Sequence, residues 1–255
     1  MYKYIEYKCE EGIAWVYINR PEQRNALCKD ALFELIDIFQ RIDDDEDVRV
    51  AVLTGKGKTF VSGADVTEMA DMNPFEYMKF GNIYTVLNKL IRENSKPVIG
   101  AVNGHAIGGG NVLVLSADMI IASENAKFAL PEIHLGIFGG AAIMPSIVGK
   151  YKAAELILLG EAYTAQQAHE MGIVNRVVPL EELIDTVTEI ANKIKEKSPL
   201  AVKMAKKAIL GGVFYDINTA TDFQLPLMSM LYGSHDQKEG MSAMLEKRKA
   251  VFNGK

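Results

Sequence analysis

Cysteine is scarce in this chain. Cys9 and Cys28 are the two it has, so no disulfide framework carries the fold. The histidines and cysteines do not fall at metal-ligand spacing, and no metal is expected. Basic residues are outnumbered: 28 Lys and Arg stand against 33 Asp and Glu, a net charge of −5. Nucleic acid is therefore not the expected partner, because binding it calls for a basic surface. No apolar run approaches the ~20 residues of a membrane span. The opening MYKYIEYKCEEG lacks the apolar centre of a signal peptide. No membrane partner and a reducing, cytoplasmic setting follow as expectations. Repeats, linkers and low-complexity segments are also missing. With 49% of 255 residues apolar, the chain can bury a sizeable core, and one large domain with a helical appendage is expected.

The most informative stretch is residues 97–136, PVIGAVNGHAIGGGNVLVLSADMIIASENAKFALPEIHLG. It reads as a buried strand, a glycine turn, a helix, a second strand, and a loop with one carboxylate, Glu132. Gly108, Gly109 and Gly110 precede the apolar run Val112–Leu115. Side-chain-free residues thus stand at a helix N-terminus, where N–H groups lack intrahelical partners and face the positive end of the dipole. Charge developing on an acceptor is stabilised at such a place. By itself the pattern reads first as a tight strand-to-helix turn without a ligand.

Elsewhere the pattern is plain. Residues 2–8 and 13–18 form a strand pair around Glu10–Gly12. A polar loop, NRPEQRNAL at 19–27, follows and presents Arg24. Asp30–Ile42 has helical spacing, and Val48–Leu53 reads as a buried strand. Asp43–Asp47 is expected to be a solvated turn. Gly57-Lys58-Thr59 looks like half a phosphate-binding loop, but Val52 stands where that motif needs glycine, so the reading is rejected. Small residues at Ser62-Gly63-Ala64-Asp65 bring backbone close to any ligand, with the Ala64 N–H as a donor. Pro74–Glu93 is a long helix. His105 and His134 have no nucleophile or carboxylate partner by motif and read as structural or lining residues. Two short helices are expected at Ala141–Gly149 and Lys152–Gly160, and Thr164 as a helix cap. Ile173–Val178 reads as a strand and Glu181–Lys195 as a helix. Pro199–Phe252 reads as helical, with breaks near Gly211-Gly212 and Gly233.

Five segments in register resemble the crotonase superfamily, the enoyl-CoA hydratase/isomerase group. They are NRPEQRNAL (19–27), TGKGKTFVSGADV (54–66), KPVIGAVNGHAIGGG (96–110), FALPEIHLGI (128–137) and EGMSAMLEKRKAVF (239–252). The resemblance spans the whole chain. It implies an α/β fold, a spiral of ββα units over residues 1–195, with a helical C-terminal region at 196–255 that mediates trimer formation. Trimers of the group commonly stack into hexamers. It also implies an acyl-CoA thioester substrate, with coenzyme A carried by the substrate and no separate cofactor. The thioester oxygen would be gripped by the N–H groups of Ala64 and Gly109. The CoA arm would pass Arg24, Ala26, Asp65 and Val66, beside Ser62 and Gly63. Lys247, or Tyr232 from a neighbouring subunit, would reach the nucleotide end. The loop Ile137–Ile143, with Gly140, and the helix Pro74–Glu93 would wall the acyl pocket.

One position departs from the group's pattern. Hydratases of the group carry two glutamates facing the reacting carbons; the second is present as Glu132, but the first maps onto Val112. Asn111 is one residue off, which turns a helical side chain by about 100°. A single carboxylate suffices for a double-bond shift, taking a proton from one carbon and returning it to another. The leading expectation is therefore an enoyl-CoA isomerase with Glu132 as sole acid and base. Hydration or a hydratase-lyase reaction with one glutamate, other thioester chemistry, and a CoA-binding protein without turnover are the alternatives.

Overall fold

A computed structural model describes residues 2–255. Strands β1 (Ile5–Glu10) and β2 (Ile13–Ile18) form the expected hairpin. Its turn residues Glu11 and Gly12 have φ of 49° and 78°, the mirror-image turn that suits twisted strands.

From there the chain repeats one path. An apolar strand enters a large sheet, a short strand joins a small sheet, and helical structure leads back. β3 (Val50–Gly55), β5 (Val98–Val102) and β7 (Met119–Ser123) take the first role. β4 (Thr59–Val61), β6 (His105–Ile107) and β8 (Lys127–Ala129) take the second. The large sheet has the order β1-β2-β3-β5-β7-β10, with β10 at Arg176–Val178. The small one has the order β4-β6-β8-β9, with β9 at Tyr163–Thr164. All pairings are parallel except the hairpin and β8 with β9. This is the spiral of ββα units expected from the sequence.

The apolar strands are buried on both faces, as parallel sheets require. Alternation along β3 divides the core. Ala51 and Leu53 join a large cluster with Leu32, Leu35 and Phe39 of α1 (Lys29–Asp44) and Leu87 and Ile91 of α3 (Pro74–Glu93). Val50 and Val52 face the other way, against Leu183, Val187 and Ala191 of α7 (Leu183–Lys195). Asn73 caps α3 with a reciprocal capping box to Glu76, so this helix begins and ends where its periodicity places it.

Several boundaries differ from the sequence reading. Gly149 parts the two helices expected around it, since φ 76° and ψ 163° interrupt α5 (Met144–Leu159) there, but the first of them starts at Met144 and not at Ala141. Gly211-Gly212 does not break a helix: α8 (Pro199–Phe214) runs through it, and the chain turns at Tyr215 and Asp216 before α9 (Ile217–Leu231). Gly211 is small for packing, since a Cβ there would lie 2.8 Å from the Phe223 ring. The break at Gly233 stands, between α9 and α10 (His235–Leu245). The strand read over Ile173–Val178 is confined to Arg176–Val178. Asp43 is not merely a solvated turn residue, because its carboxylate accepts the Ser95 N–H. Thr59 opens a strand, not a helix, which agrees with rejecting the phosphate loop. Thr164 caps α6 (Ala165–Glu170) as expected, with Gln167 closing the capping box.

Candidate active site

β4, β6 and β8 lie side by side and parallel, so their carboxyl ends share one edge. Each leads within three residues to a group singled out from the sequence: β4 to Ala64, β6 to Gly109, β8 to Glu132. Sites in parallel α/β structures gather at such ends, because the loops there converge.

The first two groups are backbone donors. Leu27 donates to the Gly63 carbonyl at 2.8 Å and Asp65 donates to the Leu27 carbonyl at 3.0 Å. These bonds skip Ala64, whose N–H makes no hydrogen bond among the described residues. Gly109 is the first residue of α4 (Gly109–Val114), and its N–H is likewise unpaired among the described residues. The two turns are in contact: a Cβ at Gly110 would lie 2.5 Å from the Val61 carbonyl oxygen. Two free donors on neighbouring strand ends suit an oxygen that gains charge.

Glu132 lies on a short 3-10 turn, Pro131–Leu135. It is held close to glycine backbone, since a Cβ at Gly108 would stand 3.1 Å from Oε1. Gly108 itself has φ 55°, a conformation that favours glycine. Among the described residues Oε2 is buried without a hydrogen-bond partner. Burial pushes the Glu132 carboxyl above the usual carboxylate range. A carboxylate so placed accepts a proton readily and gives it up again.

Val112 sits three residues after Gly109 on α4, on the same helix face, and packs against the large core cluster. Asn111 is fully buried and committed elsewhere: its amide donates to the Tyr163 hydroxyl at 2.9 Å and to the Ala129 carbonyl at 3.3 Å. Tyr163 is pushed up to about 12 by burial, so it stays a neutral partner.

The sequence reading passed over Tyr84 of α3. Its hydroxyl is buried and has no partner among the described residues. A Cβ at Gly109 would lie 3.1–3.3 Å from the tip of its ring. Phe80 braces that ring edge-on, with centroids 5.5 Å apart. The signal was available, because Tyr84 falls in helical step with Phe80, Leu87 and Ile91, but an aromatic in such a stripe reads as core.

The loop residues expected along the CoA arm are brought together. Arg24 takes φ 51° and is exposed, and its carbonyl accepts the Ser62 N–H at 3.1 Å. Ala26 is half-buried beside it. Gly63 has φ 113°. Val66 is exposed at the start of α2 (Val66–Met69). Asp65 is already engaged: it accepts from the Thr67 hydroxyl at 2.7 Å and pairs with Arg20 at 3.2 Å. The Thr67 bond first, with Arg20, holds its carboxyl below the usual range. Asn25, fully buried, staples the loop by donating to the Lys56 and Thr59 carbonyls at 2.9 and 2.7 Å. Neither Arg20 nor Asn25 was singled out from the sequence. Gly140 faces Leu130, and it is Gly139 that lies over Glu132. Tyr232 and Lys247 are exposed at the ends of α9 and α10. His105 and His134 are exposed as well. No cluster of three or more His, Cys, Asp or Glu is placed for a metal among the described residues.

A family model described as enoyl-CoA hydratase/isomerase matches residues 8–255. The crotonyl-CoA hydratase of Syntrophomonas wolfei is 42% identical, with 100% of this chain and 99% of that protein covered. The short-chain-enoyl-CoA hydratase of Clostridium acetobutylicum is 43% identical, with 94% of each covered. The crystal structure of enoyl-CoA hydratase from Bacillus anthracis superposes with a TM-score of 0.95 at 34% identity, covering 99% of this chain and 100% of that one.

Proposed function

The chain belongs to the enoyl-CoA hydratase/isomerase family, and from that premise we propose that it adds water to a short 2-enoyl-CoA thioester with Glu132 as its single carboxylate. The observation that carries the reading is the buried, unpaired Oε2 of Glu132 on the turn after β8, beside two free N–H donors. Glu132 takes a proton from water as the water oxygen bonds to C3. The C2–C3 π electrons move toward the thioester oxygen, where the Ala64 and Gly109 N–H groups meet the charge. Glu132 then delivers its proton to C2, and the product is the 3-hydroxyacyl thioester. The names of the similar proteins favour hydration over the isomerisation expected from Val112 alone. Coenzyme A arrives with the substrate and leaves with the product. Assembly into trimers or hexamers, with Tyr232 or Lys247 near the nucleotide end, belongs to the same proposal.

Val112 supports a second reading. Without a second carboxylate, Glu132 would shuttle a proton between C2 and C4 of a 3-enoyl thioester and shift its double bond. Incubating 2-enoyl- and 3-enoyl-CoA in ¹⁸O-labelled water separates the two. Rapid appearance of ¹⁸O in a 3-hydroxyacyl-CoA is the expected result. Interconversion of the enoyl isomers without label would replace hydration by isomerisation.

A further inference from the structure

Several side-chain polar atoms are buried without a partner among the described residues, and the hydroxyl of Tyr84 and Oε2 of Glu132 are the two that lie against the Gly108–Gly109 turn. An unpaired buried hydroxyl costs about 1–3 kcal/mol, so one placed beside a candidate site calls for a partner. The position of Tyr84 is specific. The ring tip lies 3.1–3.3 Å from where a Gly109 Cβ would stand, and Oε1 of Glu132 lies 3.1 Å from where a Gly108 Cβ would stand. Tyr84 and Glu132 therefore flank one glycine–glycine step, and that step carries the Gly109 N–H. Phe80 fixes the ring, and the long helix α3, with its capped start, fixes both. Residue 112, on the face of α4 shared with Gly109, is a valine and cannot hydrogen-bond a water molecule.

We propose that Tyr84 is a catalytic residue of this chain: its hydroxyl holds the reacting water opposite Glu132, in place of the hydrogen bond that Val112 does not make. Burial, with the charge of nearby Glu132 adding to it, pushes the phenol well above its usual range. The hydroxyl therefore keeps its proton and orients water without competing with Glu132 as base. The water's proton still passes to Glu132 and its oxygen to C3; Tyr84 gains and loses nothing. The inference rests on the hydration reading above.

The test is Tyr84→Phe, measured beside the wild type with crotonyl-CoA. The ring and its contact with Phe80 stay, and only an unpaired hydroxyl is removed, so the melting temperature is expected to hold or rise. The kcat for hydration is expected to fall about 100-fold with KM within about twofold, in line with loss of one positioned donor. Exchange of the C2 hydrogens of butyryl-CoA with heavy water needs Glu132 and the N–H donors but no water addition, and it is expected to persist. Val112→Gln in the Tyr84→Phe background is expected to recover part of the lost kcat by returning a polar group from α4. A wild type that hydrates and a Tyr84→Phe variant with unchanged kcat would overturn the role of Tyr84 alone. Equal loss of hydration and exchange, with a lower melting temperature, would make the hydroxyl structural and also overturn it. A wild type that exchanges C2 hydrogens but hydrates nothing would overturn the hydration reading, and the water-holding role with it.

Discussion

Gly139 and the Glu132 carboxyl occupy one space: a Cβ on Gly139 would stand 2.8 Å from the carboxyl carbon of Glu132. The loop that follows Glu132 thus sets where the carboxyl can sit. Gly139→Ala is expected to push it off line and lower kcat by roughly 10²-fold, because misplacement of about 1 Å costs that much. Affinity for free coenzyme A is expected to stay within about twofold, since that group lies across the site. Steady-state kinetics with crotonyl-CoA and calorimetric CoA binding check the split. Gly140→Ala meets Leu130 instead, at a φ of 70°, and is expected to lower stability by about 1–3 kcal/mol through overpacking and strain.

Glu132→Gln removes the proposed base and is expected to lower kcat about 10³-fold, a usual loss for a positioned acid–base group. The same substitution is expected to stabilise the fold at neutral pH. Burial raises the folded-state pKa of Glu132 above its unfolded value. The native state then binds the proton more tightly, so stability falls as pH rises from the ordinary carboxylate range through the raised pKa. Melting curves from pH 4 to pH 8 (roughly spanning that window) should show this fall in the wild type and its reduction in Glu132→Gln.

The pH profile of hydration follows from the same shift. Glu132 must be ionised to accept the proton of water. Activity is expected to drop as pH falls through a pKa above the ~4.3 of an ordinary glutamate. An acid limb at or below the ordinary value would mean that Glu132 is hydrated in solution, against its burial here.

Asn111→Leu is expected to cost about 1–3 kcal/mol, because it leaves the Tyr163 hydroxyl without a partner inside the core, while the Ala129 carbonyl keeps the Gly108 N–H. Urea unfolding would read this as a lower midpoint. The buried amide joins α4 to the end of β8, so kcat should fall more than KM rises.

Lys206 is a third polar anchor, far from the chemistry. It pairs with Asp118 at 2.7 Å and donates to the Lys96 and Ile91 carbonyls at 3.0 and 3.2 Å. Burial pushes Lys206 down and Asp118 up, so the pair holds against desolvation. Lys206→Met is expected to cost about 2–4 kcal/mol, below the fully buried case because Asp118 keeps some water. Activity per folded molecule should be unchanged, which activity titrated against the folded fraction would establish.

Much of this was legible in the chain. Helix α3 could be read to the residue, because proline, a capping asparagine and a steady stripe all agree. The spiral could not be read from periodicity, since β4, β6 and β8 are three residues each and carry no pattern; it came through the resemblance. Ala64, Gly109 and Glu132 stood out because glycine and a loop carboxylate are informative by type. Tyr84 did not, because burial hides a hydroxyl's role until its lack of a partner is seen. Gly139 escaped for a similar reason: a glycine's neighbour across space leaves no mark in sequence. The kink at Gly149 and the unbroken run through Gly211-Gly212 differ only in φ and in the ring of Phe223, which local composition does not encode.

The side-by-side order of β4, β6 and β8 acts as a ruler. Neighbouring strands lie about 4.8 Å apart, so the turns that carry Ala64, Gly109 and Glu132 leave the sheet at regular intervals, in that order. On the proposed reading a thioester lies across the strands, its carbonyl toward Ala64 and Gly109 and its reacting carbons toward Glu132. Side chains on the three loops can change which bond is made or broken. The spacing of the three strand ends is set by backbone hydrogen bonds of the sheet, which side chains on the loops do not supply.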